Sequence, residues 1–94
     1  MDGIQLIGCV YYFNPNSKHF AEVVEKHVTK SAGTHKDGVK TASFAVIRPV
    51  DYIGVLVEIS YMINPSDSVL YNSPDYAHNV AKGIVESVVE YVGK

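Results

Sequence analysis

The sequence holds a single cysteine, Cys9, so no disulfide can form within the chain. Cys9 lies in an apolar run, where a lone thiol reads as a small buried hydrophobe. Long hydrophobic runs are also missing, and no stretch approaches the length of a membrane-spanning helix. No sign of charge dominates: 8 basic residues face 10 acidic ones, a formal net charge of −2. A balance of that kind offers no electrostatic footprint for nucleic acid or an anionic membrane surface. The opening Met1-Asp2-Gly3 lacks the charged and apolar regions of a secretory signal. Repeats, low-complexity tracts and linkers are absent as well. Three enzyme patterns do not occur: a phosphate-cradling glycine loop, a GxSxG elbow and a CxxC pair.

What remains is a globular composition, 47 % hydrophobic and 19 % charged, in 94 residues. That length makes one small domain or part of one, and such a chain buries only about 60–70 % of its unfolded surface. Residues 4–13, rich in Ile, Val and Tyr and closed by Asn14-Pro15-Asn16, predict a strand and a turn. From Ser17 the spacing becomes helical, with Phe20, Val23, Val24, His27 and Val28 on one side and Lys18, Glu22, Glu25 and Lys26 on the other. Asn16 or Ser17 is the candidate N-cap and Gly33 the stop. Residues 34–40 are polar and carry the turn signal Asp37-Gly38.

Two strands are predicted next, residues 43–48, ended by Pro49, and residues 54–63, whose nearly continuous apolar run is that of a strand buried on both faces. The last helix starts at Ser73-Pro74-Asp75, with a cap, a proline at the first helical position and an acid at the positive helix end. Ala77, Val80, Ala81, Ile84, Val88 and Val92 form its apolar stripe, and Gly93 ends it. The order β-α-β-β-α makes this an α/β chain.

Glu58 is the anomaly. It sits in Val55-Leu56-Val57-Glu58-Ile59, and period-two geometry puts Leu56, Glu58 and Ser60 on one face with Val55, Val57 and Ile59 on the other. A buried carboxylate costs several kcal/mol unless paired, hydrogen-bonded or protonated, and proton-transfer chemistry is one reason to accept that cost. Pairing with Arg48, or exposure at the strand end, would explain it equally well. The histidines point less clearly to chemistry. His19 and His27 are eight residues apart on one helix, whereas helical metal ligands usually sit four apart; His35 lies in the polar loop and His78 on the last helix. The seven tyrosines are scattered, and Tyr11 and Tyr12 fall on opposite faces of the first strand.

The ordered set Asp37-Gly38-Val39-Lys40, then SFAVIR at residues 43–48, then VLVEISYMIN at residues 55–64 resembles the closing part of the zinc-dependent N-acetylmuramoyl-L-alanine amidases. The match continues through Asp67 and Leu70 to Ser73-Pro74-Asp75-Tyr76 and the final helix, and the strand into Tyr11-Tyr12-Phe13 also fits, so it covers nearly the whole chain. The resemblance implies a three-layer α/β/α domain with a central mixed sheet, of which residues 1–94 are the C-terminal half. It implies peptidoglycan as substrate, cut between the muramoyl lactyl group and L-alanine. It implies one zinc ion held by His, Glu and His, and a glutamate activating the attacking water, the position that Glu58 matches. The location it implies is the cell envelope or the exterior.

Two local departures are Ser60, where the family commonly has Gly, and Ile53-Gly54 in place of a Pro-small pair. The larger one is that no residue here matches the zinc ligands, which in the family precede this region, so no ligand is assigned. Alone, such a chain is expected to be inactive and to self-associate through exposed sheet edges. A non-catalytic peptidoglycan-binding module, or a degenerate amidase remnant, is the alternative, and an unrelated small α/β dimer the third reading.

Overall fold

A computed structural model of the chain describes the backbone of residues 7–33, 35–58 and 74–93, and the side chains there except those of residues 7, 8 and 35–37. The first strand, β1 (Ile7–Tyr12), runs into a 3-10 turn at Pro15–Ser17. Helix α1 (Lys18–Ala32) follows and returns the chain to β2 (His35–Thr41), which pairs with β1 in parallel. A short antiparallel strand, β3 (Leu56–Glu58), lies on the other side of β1, giving a mixed sheet in the order β2-β1-β3. The last helix, α2 (Pro74–Val92), packs on α1. Among the described residues no helix is long and apolar enough to cross a membrane.

The core is where α1 meets both the sheet and α2. Val10 from β1, Ala21, Val24 and Val28 from α1, and Tyr76 and Val80 from α2 form one buried cluster, with Val39, Val55 and Val57 packed against it. The mixed α/β class is as expected. Among the described residues α1 covers one sheet face and no helix covers the other.

Helix α1 ends as its sequence predicts, on Gly33 in the left-handed region at φ 73°, with its N–H on the Thr29 carbonyl. Its start differs. Ser17 occupies the N-cap, but its Oγ makes no cap bond and instead accepts the Gly54 N–H at 3.0 Å. The Asn14 side chain caps the preceding 3-10 turn through Asn16 N–H and donates to the Val50 carbonyl. Two polar side chains thus tie the β1–α1 corner to the segment leading into β3.

Five expectations need correction. The strand expected at residues 43–48 is not one; Ala45–Ile47 is a 3-10 turn in which Ile47 alone is buried. The polar segment before it forms β2 instead, because pairing with β1 and a bulge supply what strand propensity does not. At that bulge the register passes from Gly8↔Lys36 to Val10↔Val39, and Gly38 takes φ 91°. Glu25, expected on the solvent side of α1, is 1 % exposed, and its Oε2 accepts the Gly38 N–H at 2.8 Å.

The buried face of α2 is also displaced from the apolar stripe. Tyr76, Val80, Gly83 and Ser87 face inward, while Ile84, Val88 and Val92 are exposed. Close helix approach selects for small side chains here, and Ser87 satisfies its own hydroxyl on the Gly83 carbonyl at 2.7 Å. Lastly, β3 is half-buried throughout rather than fully buried. Gly54 and Val55 precede β3 without joining the ladder, and residues 59–63 of the predicted strand, the Ser73 cap, Asp67 and Leu70 lie outside the described residues.

Candidate functional site

The sheet divides its side chains as period two requires. Val10 and Val57, partners in the β1–β3 ladder, go to the α1 side, so Cys9, Tyr11, Leu56 and Glu58 share the opposite face. Cys9 is directly opposite Glu58, and Tyr11 is opposite Leu56. On the other flank Lys40 of β2 is in register with Tyr11 and is exposed. Lys40, Tyr11 and Leu56 therefore form one row across three strands, with Glu58 diagonal to Tyr11 on the same face.

On that face Glu58 is half-buried, and the Tyr11 hydroxyl donates to its Oε1 at 3.2 Å. The Tyr11 ring is itself fixed edge-on against Phe44, with centroids 5.4 Å apart and planes at 88°. Among the described residues no ion pair joins Glu58 to Arg48, which is exposed. Strand alternation made the face of Glu58 legible. Tyr11 as its partner was not, because that contact depends on the β1–β3 register.

The histidines do not converge. His19 is exposed, 4.0 Å from Glu22, and its ring lies beside Tyr91. His27 lies at the α1–α2 seam with Nε2 2.6 Å from Glu90 Oε1 and Nδ1 3.9 Å from Glu86. Lys26 Nζ also grips Glu90, at 2.8 and 3.0 Å. His78 is exposed on α2, and the His35 side chain is outside the described set. Among the described residues no three His, Cys, Asp or Glu side chains are grouped to hold a metal ion.

Hydrogen bonds from Lys26 and then His27 hold the Glu90 carboxyl well below its ordinary 4.5, at about 2. The polar groove beside this cluster, about 570 Å³, is lined by His27, Lys30, Ser31, Asn79, Lys82 and Glu86. All of these come from the two helices, so the groove is separate from the Glu58 face.

A family model described as N-acetylmuramoyl-L-alanine amidase matches residues 5–90. The chain belongs to that family. It is 35 % identical over 80 residues to the N-acetylmuramoyl-L-alanine amidase LytC of Bacillus subtilis (strain 168), covering 85 % of this chain and 16 % of LytC. To the probable cell wall amidase LytH of Staphylococcus saprophyticus it is 32 % identical over 82 residues, 87 % of this chain and 28 % of LytH. Among solved structures, the catalytic domain of the amidase CwlV from Bacillus (Paenibacillus) polymyxa var. colistinus superposes with a TM-score of 0.84 at 30 % identity, over 92 % of this chain and 48 % of that one. The amidase AmiC2 of Nostoc punctiforme gives the same TM-score at 25 % identity, over 97 % and 51 %. The chain thus spans about half the length of these solved amidase chains and less than a third of the two curated relatives.

Proposed function

We propose that residues 1–94 are the C-terminal half of a peptidoglycan amidase catalytic domain, acting at the cell envelope on the amide between N-acetylmuramic acid and L-alanine. The single observation that carries the reading is the Glu58 carboxylate, set among apolar strand residues on the sheet face opposite α1 and hydrogen-bonded by Tyr11. Support also comes from the family match and from the cell wall named in the description of LytH.

In this reading Glu58 is the general base. It takes a proton from the water that attacks the amide carbonyl, and the proton later leaves with the L-alanine amine. A base of that kind is worth about 10²–10⁴ in rate. The zinc ion that the family resemblance implies finds no donor set among the described residues.

The test is Glu58→Gln in the full-length protein that carries this chain, assayed by release of stem peptides from purified peptidoglycan. Turnover should fall by about 10²-fold or more while binding of muropeptides persists. Wild-type turnover would remove Glu58 as the base. Muropeptide binding with no turnover by the unaltered protein would leave a binding module instead.

A further inference from the structure

The Tyr11–Glu58 contact joins two strands 47 residues apart in sequence, at 3.2 Å, on the face where the base is placed. We propose that Tyr11 is a positioning residue for Glu58, holding carboxylate oxygen Oε1 so that proton transfer runs through Oε2. This rests on the reading of Glu58 as the base. Among the described residues Oε2 carries no hydrogen bond, so the two oxygens differ in what they can accept.

Three features make Tyr11 more than a neighbour. Its ring is braced at 88° against Phe44, which limits where the hydroxyl can go. Its backbone is central, since β1 pairs with β2 on one side and β3 on the other. Its separation from Oε1, 3.2 Å, exceeds the roughly 2.5–2.7 Å of a strong O–H···O⁻ bond. A contact of that length withdraws little charge from the base. A carboxylate on an otherwise apolar strand edge has several side-chain rotamers open to it, and only an oriented one serves a water held against the substrate.

The experiment is Tyr11→Phe in the full-length protein, which keeps the ring and its packing on Phe44 and removes only the hydroxyl. We expect kcat to fall about 5- to 30-fold with KM changed less than about 2-fold, as for a base that is present but misaligned. Carbon-13 NMR of labelled glutamate should show the Glu58 carboxyl signal shifted by the same substitution, without reference to turnover. The decisive comparison uses Glu58→Asp, whose shorter carboxylate draws back from the Tyr11 hydroxyl. In that background Tyr11→Phe should change the remaining kcat less than about 2-fold.

An equal loss in both backgrounds would mean that Tyr11 acts without Glu58, and the proposal would fail. Unchanged kcat in Tyr11→Phe, with Glu58→Gln inactive, would overturn the role of Tyr11 and leave the base in place. An active Glu58→Gln would remove the base and this proposal with it.

Discussion

Gly83 of α2 rests on the backbone of Val28 in α1: a Cβ at position 83 would meet the Val28 Cα at 2.8 Å and the His27 carbonyl oxygen at 2.9 Å. Both atoms belong to backbone and cannot swing aside. Alanine there would gain about 1 kcal/mol of helix propensity, but overpacking a tight contact costs about 1–3 kcal/mol and the helices must separate. Gly83→Ala should therefore lower unfolding stability, by up to about 2 kcal/mol, in denaturant titration. A variant as stable as the wild type would show that the seam gives way more easily than the geometry implies.

The same seam shows what a sequence pattern leaves out. The apolar stripe of α2 was legible as a stripe, but hydrophobicity alone put Ile84, Val88 and Val92 inward, and closeness of approach put Gly83 and Ser87 there. Size decides such a contact, and a hydrophobic period does not weigh size. Helix ends were legible because they depend on local backbone chemistry, Gly33 at positive φ and Pro74 in the first turn. Strand β2 was not, since His35–Thr41 owes its extension to β1 and to the bulge at Gly38. Glu58 was visible as a charge inside an apolar run. Its Tyr11 partner required the pairing Cys9↔Glu58, which no local signal carries.

Glu25 gives the bulge its anchor, and substitution there separates volume from hydrogen bonding. Its Oε2 accepts the Gly38 N–H at 2.8 Å in a site where the side chain is 1 % exposed. Glu25→Gln keeps an oxygen acceptor and nearly the same volume. Glu25→Ala leaves that N–H without its acceptor and opens a cavity beneath β2, at a cost of about 2–4 kcal/mol. The expected order of thermal midpoints is wild type, then Gln, then Ala well below. Amide exchange at Gly38 should quicken in the alanine variant. If Ala and Gln prove equally stable, the Gly38 contact contributes nothing to holding the bulge.

Glu90 sets an acid limit on the α1–α2 seam. Lys26 Nζ lies 2.8 Å from its Oε1 and His27 Nε2 2.6 Å, and since a carboxylate only accepts, the His27 hydrogen sits on Nε2. Together they bring the folded carboxyl from 4.5 down to about 2. A folded value below the unfolded one contributes stability that is fully present above the unfolded value and lost as pH falls through the folded one. The window is therefore from about pH 4.5 down to about pH 2. The cluster is solvent-exposed, so its contribution is screened by salt. Across that window the wild type should lose more stability than Glu90→Gln, and the gap between their thermal midpoints should narrow as the pH drops and again when salt is added. Parallel profiles for the two proteins at low salt would show that the Lys26 and His27 contacts do not distinguish the folded state from the unfolded one.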